Sequence, residues 1–123
     1  PTGVDTNNMI QMTFRNAVTA QLLSSFDYDL PCTAYLFGTK GHIYLQEFWQ
    51  AKTAKLHTGE KTEYFEDNRT TRGYNYQVEA AGKLIQEGKT ESPVISHKNS
   101  LRLAETMDNV RGQIGLVYPF EGQ

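Results

Sequence analysis

At Gly73 the hydrophobic period of this chain changes, and that change limits the folds open to it. Before Gly73 apolar residues recur at alternate positions. After it they recur at three- and four-residue spacing. A period of two sends successive side chains to opposite faces of a strand, and a period near 3.6 gathers one stripe along a helix. Strands first and helices last predict an α+β fold. The expected arrangement is an open-faced, mainly antiparallel sheet with two C-terminal helices on one face.

The strand half divides at its turns. Ile10, Met12 and Phe14 alternate with Met9, Gln11 and Thr13. After a polar turn at Arg15-Asn16, Val18, Ala20, Leu22 and Phe26 alternate with Thr19, Gln21, Leu23 and Ser25. This predicts a hairpin, with Asn16 supplying the positive φ that a tight turn needs. Pro31 breaks the pattern. Cys32 to Phe37 and His42 to Phe48 then read as strands around the turn Gly38-Thr39-Lys40-Gly41. Thr53 to His57 and Thr62 to Phe65 flank Thr58-Gly59-Glu60 as a further hairpin, and residues 66–72 form a polar loop.

The helical half has matched stripes. Tyr74, Val78, Ala81 and Ile85 share one face, with Gly88 just past the last turn. Leu103, Met107, Val110 and Ile114 share another, between Ser96 as N-cap and Gly115 as stop. Both stripes are expected to pack on the same sheet face, the one carrying Ile10, Met12, Phe14, Val18, Ala20, Leu22, Ala34, Leu36, Ile43 and Leu45. The other face offers Tyr35, Tyr44 and Leu23 among Thr and Gln, with few charges. Interfaces are enriched in Tyr and depleted in Lys and Glu. This open face is therefore expected to form a homodimer.

Composition narrows the function. At 123 residues and 13.9 kDa the chain is expected to form a single domain, residues 1–123. Its formal net charge of -2 comes with scattered Lys and Arg, so neither nucleic acid nor an anionic membrane is an expected partner. No apolar run approaches the ~20 residues of a transmembrane helix. The one cysteine, Cys32, excludes an internal disulfide and reads as a buried, inert thiol, with the cytoplasm as the default compartment.

Few residues suggest chemistry. His42, His57 and His97 match no metal-ligand spacing, and no metal or catalytic residue is assigned. The Gly38-to-Gly41 turn is too short for a phosphate loop and joins strands instead of opening a helix. In the loop, Glu66 and Asp67 lie with Arg69 and Arg72 near Glu63, flanked by Tyr64, Phe65 and Tyr74. The ordinary reading is a solvated loop, with Tyr74 in the helix stripe; the functional one is a pocket rim with an aromatic wall. Phe48-Trp49 is read as a core anchor or, less simply, as a contact surface for a neighbouring domain.

The ordered motifs carry a resemblance. Val4-Asp5, then Tyr35-x-Phe37-Gly38-Thr39-Lys40-Gly41-x-Ile43, then Phe48-Trp49, resemble the C-terminal domain of the glucose–fructose oxidoreductase/inositol dehydrogenase (Gfo/Idh/MocA) family. The dihydrodiol dehydrogenase branch is the most similar. The tail agrees in Gly88-x-x-Glu91-Ser92-Pro93, Met107-Asp108-x-x-Arg111 and Gly115-Leu116-x-Tyr118-Pro119. The resemblance implies a larger oxidoreductase whose N-terminal Rossmann domain binds NAD or NADP. This chain, opening on Pro1, would be its C-terminal piece, with no cofactor site and no catalytic residue of its own. It would supply part of the substrate pocket and the dimer interface. Family members bring the loop before the penultimate helix towards substrate. That loop maps onto residues 64–74 and implies substrate-binding roles for Tyr64, Arg72 and Tyr74.

Two functions stay open at this point. One is the substrate-side and assembly domain of a nicotinamide-dependent oxidoreductase acting on a sugar, polyol or diol, inactive alone. The other is a non-enzymatic α+β module that dimerises or binds a small ligand.

Overall fold

A computed structural model describes residues 3–118, 120 and 121. Pro1, with which the chain opens, and Pro119 of the tail motif lie outside the described residues, as do Thr2, Gly122 and Gln123. The chain forms two compact units: Pro1–Leu30 with Glu91–Gln123, and Pro31–Thr90.

The first unit joins a two-stranded ribbon to a helix. Strands β1 (Asn7–Thr13) and β2 (Thr19–Ser25) pair antiparallel, with Met12 opposite Ala20 and Ile10 opposite Leu22. The turn between them is a short 3-10 segment at Arg15–Ala17. Asn16 takes φ 71, as its side chain allows, and Ala17 also takes a positive φ of 58. The long helix of this unit, α2 (His97–Gln113), opens with the Ser96 side chain accepting the Asn99 N–H at 3.3 Å. It closes at Gly115, φ 67, with Leu116 N–H reaching the Arg111 carbonyl. That is the paired-bond termination that a left-handed glycine permits.

The second unit is a four-stranded antiparallel meander followed by a helix. Its strands are β3 (Thr33–Gly38), β4 (Gly41–Gln46), β5 (Thr53–Thr58) and β6 (Lys61–Glu66), in that order. Tight turns at residues 39–40 and 59–60 fix the register. Helix α1 (Tyr74–Gln86) ends with Gly88 at φ 68, where Gly88 N–H bonds Ile85 and Lys89 N–H bonds Leu84.

The α+β class, the antiparallel pairing and both helices agree with the sequence. The strands, however, fall into two sheets, with β1 and β2 forming a ribbon of their own. Leu23 therefore stands on a different sheet from Tyr35 and Tyr44. The helices also belong to different units. The expected burial of both stripes is corrected: Val78 is 68% and Ile85 74% exposed, and Met107 and Ile114 are also exposed.

The amount of open surface is large. The chain exposes 11005 Å². A compact monomer of this mass would expose about 6,700 Å², and two compact units of half the mass about 8,000 Å² together. Among the described residues none is buried, and Leu36, Phe65, Leu103 and Met107 all meet solvent. Neither unit closes a hydrophobic core with its own residues.

Candidate functional site

Alternation in the second unit sorts its side chains cleanly. The register places Ala34, Leu36, Ile43, Leu45, Ala54, Leu56 and Phe65 on one face, with Glu63 opposite Leu56 and Lys61 opposite Thr58 towards its edge. The opposite face carries Tyr35 and Phe37 from β3, His42 and Tyr44 from β4, Lys55 and His57 from β5, and Thr62 and Tyr64 from β6. A single antiparallel register produces this gathering, because directly opposed residues share a face.

The second face is a continuous field of rings. Tyr35 stacks on Phe37 at 5.7 Å between centroids and tilts against Tyr44 at 5.0 Å. Phe37 reaches His42 at 5.5 Å, and His42 stacks on His57 at 4.7 Å. His57 Nδ1 and Thr62 Oγ1 share a 2.9 Å hydrogen bond. Lys55 Nζ lies 5.8 Å from the Tyr44 ring and 5.6 Å from that of Tyr64, so its charge is held between two aromatic faces. Sequence reasoning named Tyr35 and Tyr44 but missed His42, His57 and Lys55 as members of this face. Strict alternation from Tyr44 and Tyr64 would have found them.

The three residues expected at a substrate pocket sit in different settings. Tyr64 lies within β6, on the ring-bearing face, and not in a loop. Arg72 is exposed in the loop and has no hydrogen-bond or ion-pair partner among the described residues. Tyr74 is the first residue of α1 and is exposed. Among the described residues no hydrogen bond, ion pair or ring contact joins any two of these three side chains.

What organises the loop is Arg69. Its guanidinium donates to the main-chain oxygens of Gln50 and Ala51, each at 2.7 Å, and pairs with Asp67 at 3.2 Å. Asp67 N–H in turn bonds the Lys52 carbonyl. The loop is thereby tied to the 3-10 turn Phe48–Gln50. That turn holds Phe48 and Trp49 half-open, which corrects the expectation of a core anchor. Cys32 is corrected likewise: it is an exposed free thiol, just before β3.

The first unit contains a cleft of about 360 Å³ between the ribbon and α2. Ile10, Met12, Leu22, Met107, Val110 and Ile114 form its apolar lining. At its polar end Arg111 donates to Glu121 at 2.6 Å and to Asp108 at 3.0 Å, and lies over the Tyr118 ring at 4.9 Å. The hydrogen bond from Arg111, helped by the Tyr118 N–H, holds the Glu121 carboxyl below its ordinary range. The same bond raises the Arg111 guanidinium. The ion pair anchors the tail to α2.

Among the described residues no three or more His, Cys, Asp or Glu side chains gather to hold a metal. A dinucleotide cradle needs a glycine-rich turn from a strand into a helix. The described sheets are antiparallel throughout, and Gly38 and Gly41 flank a strand-to-strand turn. The Gly38–Gly41 turn is therefore not such a cradle. No described helix is long and apolar enough to cross a membrane.

No family model matches the chain. Among curated proteins it is similar to trans-1,2-dihydrobenzene-1,2-diol dehydrogenase from Mus musculus, at 31% identity over 96% of this chain and 37% of that protein. The protein of the same name from Xenopus laevis is 30% identical over 96% of this chain and 38% of its own length. The Homo sapiens protein is 27% identical over 96% and 37%. The chain thus spans under two fifths of the length of these relatives.

Proposed function

We propose that this chain is the C-terminal, substrate-side and assembly domain of a NAD(P)-dependent oxidoreductase of the Gfo/Idh/MocA family, acting on a diol, sugar or polyol. The observation that carries the reading is the alignment of 96% of the chain with 37% of a dihydrodiol dehydrogenase. The open apolar surface supports it, because a domain built to pack against more protein leaves such faces unclosed.

In this reading NAD or NADP is held by an N-terminal Rossmann domain, and the cofactor carries the hydride. This chain positions the substrate. Arg72 donates hydrogen bonds to substrate oxygens, Tyr74 forms a wall beside it, and Tyr64 reaches the pocket where the ring-bearing face borders it. Two copies meet through that face, centred on Tyr35 and Tyr44. Two-fold contact of one face with itself is self-complementary. The exposed thiol of Cys32 agrees with a reducing, cytoplasmic location.

The test is oxidation of diols, sugars and polyols by the full-length protein with NAD and with NADP. Turnover of one substrate class is expected. Arg72→Ala and Tyr74→Ala should then raise KM or lower kcat/KM with stability near wild type. No turnover with either cofactor, together with dimerisation, would leave the non-enzymatic module that the aromatic face also suits.

A further inference from the structure

The open face of the β3–β6 sheet carries a stacked pair of histidines. His42 and His57 are direct cross-strand partners, with rings 4.7 Å apart and only 21° from parallel. They come from strands separated by a turn and a loop, so sequence spacing conceals the pair. Imidazole is the side chain whose ordinary titration falls between pH 5 and 8.

The surroundings offer the pair little neutralisation. Towards β3, His42 meets the rings of Phe37 and Tyr35. Towards β6, His57 meets the Thr62 hydroxyl. The other ionisable groups of this face are Tyr35, Tyr44, Lys55, Tyr64 and Glu66. Lys55 is already a cation on the same strand as His57. The one carboxylate, Glu66, is opposite Thr53, at the end of the sheet away from the histidines.

We propose that protonation of the His42–His57 pair releases the sheet-to-sheet contact of two copies, so that the dimer forms at neutral pH and opens on mild acidification. This rests on the homodimer reading above. With both imidazoles neutral, the face presents stacked rings, hydroxyls and one shielded ammonium, which can be desolvated against a second copy. With both protonated, two adjacent cations join Lys55. Dimerisation would then press two such clusters together about the two-fold axis and strip their water. Like charges brought together without counter-charge oppose association. The solvated monomer is the state that retains the protons.

Sedimentation of the full-length protein at pH 7.5 and pH 5.5, with circular dichroism at both, tests the device. The wild type should be dimeric at pH 7.5, with at least a tenfold higher dissociation constant at pH 5.5 and an unchanged dichroism spectrum. His42→Gln/His57→Gln should remain dimeric at both pH values, and His42→Gln alone should show a reduced shift. A wild type dimeric at both pH values overturns the switch and leaves the dimer standing. A monomer at both overturns the dimer reading and the switch with it. Dissociation at pH 5.5 that persists in the double variant, or that accompanies loss of the dichroism signal, also overturns it.

Discussion

The Arg69 guanidinium sits on the main-chain carbonyl of Gln50, 2.7 Å away, and the same nitrogen reaches Ala51 at the same distance. One guanidinium nitrogen on two carbonyl oxygens, with the other paired to Asp67, fixes the chain where β6 runs into the loop. The side chain is only 17% exposed, so water competes weakly for these bonds. Hydrogen bonds to charged groups contribute about 1.5–3 kcal/mol each, and Arg69→Ala should destabilise the second unit by about 2 kcal/mol or more. Arg69→Lys should recover only part of this, because an ammonium cannot reproduce the planar fork. Trp49, the chain's one tryptophan, is next to Gln50 and reports the loss by fluorescence in a denaturant titration. An unchanged midpoint in Arg69→Ala would mean that the loop is held by other contacts.

Gly41 allows a direct comparison with Gly59. A Cβ on Gly41 would lie 1.9 Å from the His57 carbonyl oxygen, across the β4–β5 pairing. The obstacle is main chain, which cannot swing aside as a flexible side chain could. Gly41→Ala should therefore force these strands apart, at about 3 kcal/mol or above, the upper range for overpacking. At Gly59 a Cβ meets nothing within 4 Å, but φ is +57. Gly59→Ala should cost only the left-handed penalty of about 1–2 kcal/mol. Thermal melts of the two variants side by side check the order. Equal effects would contradict the steric account.

These cases also show what the sequence could and could not reveal. Local signals were readable: the left-handed Asn16, the Ser96 cap, the glycines ending both helices, and the shared face of Tyr35 and Tyr44. Each depends on residues within one turn or one strand pairing. The division into two sheets was not readable, because pairing between Ser25 and Thr33 is decided by tertiary geometry and not by period. Burial was also misjudged. The stripe at Val78 and Ile85 has the spacing of a packed helix, yet spacing says only that a face is apolar, not what covers it. Arg69 was grouped with solvated charges because its carbonyl partners are 18 and 19 residues away in sequence.

The tail anchor should weaken on acidification. Glu121 has its carboxyl lowered by the Arg111 and Tyr118 hydrogen bonds. A carboxyl depressed in the folded state stabilises above its unfolded pKa, and that contribution disappears as pH falls through the lower folded value. The stability difference between wild type and Glu121→Gln should thus be constant well above the ordinary glutamate value of about 4.3 and shrink as pH falls below it and through the lower folded value. Its size should be small, since exposed ion pairs contribute little. Melting both proteins across this range in low salt is the measurement. A difference that grows on acidification would have the wrong sign for this pair.

The open stripe of α1 gives a test of the proposed assembly with further protein. Ile85 is 74% exposed here, so in the 123-residue chain Ile85→Ala removes little buried surface. Its effect should stay within about 0.5 kcal/mol, as for ordinary surface substitutions. If further protein covers this face, the same change leaves a cavity and should cost ~2–5 kcal/mol. Val78→Ala should follow the same pattern with a smaller loss, because one carbon fewer is removed. The contrast is independent of catalysis, so it tests assembly even where no substrate is known. Paired denaturant titrations of the chain and the full-length protein, wild type and variant, supply the comparison. A small effect in both would show that the α1 stripe stays in water.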